Sequence, residues 1–421
     1  MISRYTDYMY SYPHKTAYRP FPHPVALVPY LEALNAKGCR ASLYFHLPFC
    51  HSKCGYCNLF SLSAHTDQLV DAYLRTLERQ ALQLAPMTQG LTFDGFAVGG
   101  GTPLLLEPDK LGRLFRIASI FGVRPADVFT SVETSPEYAD ELRLGILKEA
   151  GTARVSIGIQ SFLDGELRAL GRQPRRADIY PALERIGQAG FPIFNIDLIY
   201  GIKGQTRDSF LLSLREALRF SPNELFVYPL YVRYGTGIQE REDDDTSYKL
   251  YLTARDYLSE HGFRQTSMRR FVRHAEEGHS CGDEVMLSCG AGGRSYLGPL
   301  HYATRYAVHP WRIREIIDQY LQTEDFTMAD NGFILSPDEQ ARRYIIKNLL
   351  YHTGIDKHAC YVRHGVRPED YPQMQMLADR HWVEDVDGHI RLTDEGMGYS
   401  DYIGQLFISP AVRTLMSTYA Y

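Results

Sequence analysis

The sequence predicts an α/β fold of parallel strands, and three observations carry that expectation. Short apolar stretches alternate with segments of helical periodicity from residue 43 onward. The segments between strands are long enough for right-handed crossover helices, which pair consecutive strands in parallel. The polar residues of unusual chemistry fall at the C-terminal ends of the strands, where barrels collect their catalytic groups.

Strands are predicted at Leu43–Leu47, Phe93–Val98, Phe129–Glu133, Arg154–Gln160, Ile193–Tyr200 and Glu224–Val232. Between them, helices are predicted at Asp67–Leu84, Pro108–Phe121, Glu137–Glu149, Ala177–Ala189 and Thr206–Phe220. These six strands are too few for an eight-stranded barrel and fit a partial, splayed one. Residues 1–42 are rich in Tyr, Pro and His and read as an irregular arm with a short helix near Val25–Ala36, packed across the outside of the barrel rather than lidding it. The barrel core is expected over 43–240. A charged loop, a helix at Ser247–His261 and a glycine-rich segment, Cys289–Gly298, make 241–308 a linking piece. Residues 309–421 read as a helical unit with helices at Trp311–Gln322, Asp338–Leu350 and Glu369–Asp379. A β-wing follows at His381–Val386 and His389–Leu392 around Asp387-Gly388, and a last helix starts near Thr393.

Hydrophobic residues make up 44% of the chain, enough for a real core, and the formal net charge is −5. No basic stripe marks a nucleic-acid partner. No apolar run reaches the roughly 18 residues of a membrane span, and the start, MISRYTDYMYSYPHK, lacks an apolar signal core. The cytoplasm is the expected compartment.

The centre of the chemistry is Leu43–Asn58, LYFHLPFCHSKCGYCN. It holds Cys50, Cys54 and Cys57 at the spacing C-x3-C-x2-C. Three thiolates on one loop can hold three irons of a [4Fe–4S] cluster and leave the fourth open, whereas an electron-transfer cluster takes four cysteines. Zinc is the alternative, with His46 or His51 as the fourth ligand. A disulfide framework is disfavoured by the odd total of seven cysteines.

Later motifs each have a plain alternative when taken alone. Gly99-Gly100-Gly101-Thr102-Pro103 is a backbone edge for a ligand or a tight strand–helix turn. Glu133 is a carboxylate for hydroxyl or ammonium groups, or a solvated charge. Gln160 ends its strand with a donor and an acceptor. Arg172 is a carboxylate partner or a surface ion pair. Asp197 lies inside an apolar strand, where a carboxylate is costly without a partner. Tyr228–Tyr231 offers aromatic walls. Cys39, Cys281 and Cys289 read as structural cysteines.

The cysteine spacing resembles that of the radical S-adenosyl-L-methionine (SAM) superfamily. The flanking Tyr44-Phe45-His46-Leu47-Pro48-Phe49-Cys50 resembles the oxygen-independent coproporphyrinogen III oxidase family, whose relatives include haem chaperones, haem-degrading enzymes and methyl-transferring enzymes. The resemblance implies a partial (β/α)6 radical SAM barrel with a C-terminal, mostly helical, winged-helix-like domain that covers substrate. It implies a [4Fe–4S] cluster on Cys50, Cys54 and Cys57. It places Tyr44, Tyr56, Gly100, Gly101, Thr102, Glu133, Gln160, Arg172 and Asp197 at SAM-contacting positions, with Tyr44 also catalytic. Arg172 and Asp197 would serve a second SAM molecule. The implied activity is reductive cleavage of SAM to a 5′-deoxyadenosyl radical that abstracts hydrogen from a small-molecule or tetrapyrrole-like substrate, with flavodoxin or ferredoxin as electron donor. A second SAM would open a route to methyl or methylene transfer.

Four departures stand out: Tyr56 is mild, Arg294 bears on the second SAM site, Asn58 favours a specialised relative over a housekeeping oxidase, and the stretch 281–287 disfavours a haem chaperone. Tyr56 stands where phenylalanine is common. Arg294 falls where the oxidase has an aliphatic residue. Asn58 follows Cys57 in place of a further cysteine. The stretch 281–287, Cys-Gly-Asp-Glu-Val-Met-Leu, lacks the His-Asn and Tyr-Trp motif of the haem chaperones.

Overall fold

The computed structural model describes residues 3–5, 9, 11–63, 65–172, 176–273 and 285–420. Six parallel strands form its centre: β2 (Arg40–Leu47), β3 (Thr92–Gly100), β4 (Phe129–Thr134), β5 (Arg154–Gln160), β6 (Ile193–Tyr200) and β7 (Glu224–Pro229). Their burial is nearly continuous, as expected of strands covered on both faces. The crossover helices are α2 (Asp67–Leu84), α3 (Pro108–Ser119), α4 (Glu141–Ala150), the short α5 (Asp164–Ala169) with α6 (Arg176–Ala189), and α7 (Arg207–Leu218). The arm contributes α1 (Val28–Asn35) ahead of them.

The helix ends are set by local chemistry. Thr66 accepts the Leu69 N–H at the start of α2, and Asp140 accepts the Arg143 N–H at the start of α4. Thr206 and Ser209 cap α7 reciprocally. Strands β5 and β6 and helix α2 have their expected bounds. The strand expected at Glu224–Val232 ends at Pro229, after which the chain leaves the ladder.

The sheet does not stop at six strands. β10 (Met286–Cys289) pairs parallel with β2, and β11 (Arg294–Leu297), β12 (Leu300–Ala303) and β13 (Met328–Ile334) follow antiparallel. On the other flank β9 (Arg270–Val272) pairs antiparallel with β7 and carries β8 (Arg264–Gln265). The arm, expected to be irregular up to a helix near Val25–Ala36, instead forms β1 (Arg19–Ala26), which pairs with β13 at the sheet edge. Thirteen described strands thus make one open sheet.

Helix α8 (Asp244–Glu260) packs against α7, and α9 (Pro310–Gln322) against α2. The C-terminal part holds α10 (Pro337–Leu349), β14 (Ile355–Asp356), α11 (Lys357–His364), α12 (Pro372–Asp379), β15 (Val383–Val386) and β16 (His389–Leu392). Its small sheet has the order β14-β16-β15, a winged-helix outline closed by short helices from Asp394 to Ser417. Among the described residues, no helix is long and apolar enough to cross a membrane.

Candidate active site

A cavity of about 510 Å³ opens at the C-terminal ends of β2–β7, within the size range of small-molecule sites. All twelve residues singled out above line it: Cys50, Cys54, Cys57, Tyr44, Tyr56, Gly100, Gly101, Thr102, Glu133, Gln160, Arg172 and Asp197.

The cysteine loop is clamped on several sides. Cys50 N–H donates to Leu62 O at 3.1 Å and Leu62 N–H to Pro48 O at 2.6 Å, which pins the loop's base. Gly55 N–H donates to Leu170 O, and Gly55 O accepts from Gly237 N–H and Ile238 N–H. Thr102 Oγ1 lies 3.9 Å from Cys50 Sγ. Burial pushes the Cys50 thiol up to about 11 and raises that of Cys54. A metal centre would supply the charge that turns these thiols into thiolates.

The donor set fits a [4Fe–4S] cluster. Three thiols face one cavity, while Cys39, Cys289 and Cys360 lie outside its lining, so no fourth described cysteine competes for the open iron. The zinc alternative needs His46 or His51 as its fourth ligand. His46 is engaged elsewhere. Its Nε2 lies 2.9 Å from Phe60 O, and its Nδ1 3.3 Å from the Tyr44 hydroxyl. Nε2 therefore carries the proton and Nδ1 accepts from Tyr44. Burial pushes His46 down to about 4, so it stays neutral.

The glycine turn packs against that loop. Gly101 N–H donates to Leu47 O at 2.7 Å and Thr102 N–H to Phe49 O at 2.8 Å. A Cβ on Gly101 would stand 2.2 Å from the Phe49 carbonyl oxygen, and Gly100, at φ +113°, would drive one into the His46 ring. Gly101→Ala should lower both the iron retained per chain after reconstitution and the thermal midpoint, at a cost of about 1–3 kcal/mol. Unchanged iron content would show that the loop can shift freely.

The strand ends present the remaining groups. Gln160 has φ +73° and follows a register shift in the β5–β6 pairing after Gly158. A bulge of this kind re-aims a side chain, and a non-glycine residue held there marks a site under constraint. Burial raises Glu133, which accepts the Gly100 N–H. Arg172 is half-buried, and the neighbouring Tyr56, Cys54 and Glu137 outweigh that desolvation and hold its charge more firmly. Burial also pushes Asp197 up to about 7; the Asn195 amide, 2.8 Å away, opposes this, and Glu133 and Glu224 add to it.

The Asp197 shift has a consequence for stability. Its folded pKa lies above the unfolded value near 3.8, so its favourable contribution is complete below about pH 4 and is lost as pH rises through about 7. Asp197→Asn should flatten the fall of thermal midpoint between about pH 4 and about pH 7. Parallel pH curves for the two proteins would contradict the shift.

Sequence reasoning missed several lining groups: Lys15, Lys53, Met286, Arg233 and the run Thr304–Tyr306. Lys15 comes from the arm and Lys53 from within the cysteine motif, between Cys50 and Cys54. The others come from outside the strand-end motifs, and no local pattern marks them. Tyr228–Tyr231 does line the cavity, as does Arg294. Cys289 is fully buried away from it, and Cys281 lies outside the described residues.

Residues 44–217 match the model of the radical SAM superfamily. This segment matches as a radical SAM domain. Among curated relatives of the chain, the haem chaperone HemW of Bacillus subtilis is 26% identical over 370 residues, covering 84% of this chain and 96% of the relative. The oxygen-independent coproporphyrinogen III oxidase of Escherichia coli K12 is 26% identical over 339 residues, covering 75% and 72%. In fold, the chain matches the solved coproporphyrinogen III oxidase (HemN) of E. coli with a TM-score of 0.82, covering 95% and 96% of the two chains at 24% identity.

Proposed function

We propose that this protein is a radical SAM enzyme that acts on a tetrapyrrole-like organic substrate. The observation that supports this most is the convergence of three thiols and nine motif residues, drawn from five strand ends and the loops beside them, on one cavity. Cys50, Cys54 and Cys57 would hold the cluster. When bound, the cluster supplies the electron that splits SAM, the chemistry being the cofactor's own.

The chain's residues position and shelter the reactants. The Gly100–Thr102 backbone edges the SAM site beside the cysteine loop. Glu133 accepts from hydroxyl or ammonium groups, and Gln160 both donates and accepts. Arg172 pairs with a carboxylate from within hydrogen-bond reach of Tyr56. Tyr44 is oriented by His46, whose proton is fixed on the opposite nitrogen. Tyr228 and Tyr231 wall the substrate side. A reduced flavodoxin or ferredoxin is the donor that this reading needs.

A second SAM on Arg172 and Asp197, and the one-carbon transfer that it would allow, rest on the resemblance alone. A haem-carrying role is the second reading, favoured by the nearly full-length match to the B. subtilis chaperone. Against it stands the stretch 281–287, which lacks the chaperone motif.

The deciding experiment is anaerobic incubation of cluster-loaded protein with SAM and dithionite, followed by mass spectrometry. The expected product is 5′-deoxyadenosine. S-adenosylhomocysteine beside it would support one-carbon transfer, and tight haem binding without SAM cleavage would replace the enzyme reading with the carrier.

A further inference from the structure

We propose that Lys53 tunes the reduction potential of the cluster site formed by Cys50, Cys54 and Cys57, its fixed ammonium raising that potential by stabilising the added electron. The proposal rests on the cluster assignment above and gives a role to a residue outside the ligand set.

Lys53 stands between Cys50 and Cys54 in the motif and lines the cavity with them. Its ammonium lies within electrostatic reach of the Cys57 and Cys50 sulfurs. A lysine on a loop ordinarily trails into solvent. This one is half-buried, and its Nζ donates to Val308 O at 2.7 Å.

The anchor is itself fixed. Val308 is buried and lies between β12 and α9. The loop after β7 backs it, since a Cβ on Gly235 would stand 3.2 Å from the Val308 side chain. In the same segment the Tyr306 hydroxyl donates to Asn58 O at 2.8 Å. Residues 306–308 therefore grip the cysteine loop twice, through Lys53 inside the motif and through Asn58 just after it. The lysine's charge is held in one place rather than averaged over many rotamers.

That charge is directed at the sulfurs. Among the described residues, no carboxylate forms an ion pair with Lys53. Arg172, the other cation beside the loop, acts on Cys54 and is itself engaged with Tyr56 and Glu137. The two cations thus divide the motif, Arg172 on Cys54 and Lys53 on Cys57 and Cys50. Reduction moves one electron from an external donor of the flavodoxin or ferredoxin class, which is oxidised in step, and leaves the site more negative by one charge. A fixed ammonium stabilises the reduced state more than the oxidised one. Net charge is one of the quantities that set such a potential, and a partly buried charge is screened less than an exposed one.

The test is a redox titration of anaerobically cluster-loaded protein with dithionite, without SAM, read by electron paramagnetic resonance. Lys53→Gln keeps an N–H donor for Val308 O and loses the charge. Its midpoint should become more negative by the equivalent of a tenfold weaker reduction, about 59 mV for a one-electron couple. Lys53→Arg keeps the charge and should stay near the wild-type midpoint. Iron per chain and thermal midpoint report whether each variant is intact. An unchanged midpoint in iron-loaded Lys53→Gln overturns the proposal. So does an equal fall in Lys53→Gln and Lys53→Arg, or loss of iron from Lys53→Gln, either of which makes the lysine a strap for the loop and nothing more. Wild-type protein that shows no [4Fe–4S] signal on reduction removes the cluster assignment and the proposal with it, a result read before any variant is compared.

Discussion

Cys50→Ala should abolish 5′-deoxyadenosine formation, a loss of at least about a thousandfold or roughly 4 kcal/mol in barrier. The reasoning runs through geometry before chemistry. Cys50 begins the loop, its N–H is locked to Leu62 O, and its sulfur is the one that Thr102 approaches from the glycine turn. Loss of this thiol leaves two ligands on the loop, and no other described cysteine lines the cavity to replace it. Iron per chain should fall in parallel with activity, while circular dichroism stays unchanged, because Cys50 lies in the loop after β2 rather than in the sheet. A Cys50→Ala protein that keeps both its iron and its deoxyadenosine would remove the cluster assignment.

The second large effect concerns stability. Asp401 is fully buried, pairs with Arg269, and accepts a hydrogen bond from the Tyr231 hydroxyl. Arg269 lies just ahead of β9, Tyr231 just beyond β7, and Asp401 in a helix of the C-terminal part. One carboxylate therefore ties the cavity wall to the helices behind it. Asp401→Ala strands a buried guanidinium, which costs about 3–5 kcal/mol. Denaturant titration should show the midpoint falling with little change of slope. An unchanged midpoint would mean that water enters and solvates Arg269. Tyr231 would keep its hydrogen bond from Arg269 but lose its acceptor, so substrate affinity should drop in the same variant even where it remains folded.

Much of the barrel was legible because its strands are covered on both faces and read as apolar runs, as in Ile193–Tyr200. The site residues were legible for a related reason: Asp197 and Gln160 are polar groups set into or at the end of such runs, where only a ligand or a specific partner repays their burial. Strand β1 was not legible. Its sequence, RPFPHPVA, has Pro20, Pro22 and Pro24 at alternate positions, which argues against a strand wherever both edges must bond. At the edge of a sheet one side needs no donors, and proline is tolerated there. The pairing with β13 is broken between Pro20 and Val25, as that composition requires. Some lining residues were hidden for another reason. Lys15 and Arg294 share no local pattern, and the long-range pairings of β1 with β13 and of β10 with β2 bring their segments to one cavity. Arg294 drew notice only as a departure from a family pattern, without a role.

The register of β1 against β13 also sets an order of assembly. The six parallel strands lie within the first 229 residues, but β2 and β7 wait for β10 and β9 to cover their outer edges, and Gly55 waits for Gly237 and Ile238. Strand β1 is made before the cysteine loop, yet its partner, Met328–Ile334, emerges late. The arm is therefore among the last segments able to settle, although it precedes the parallel strands in the chain.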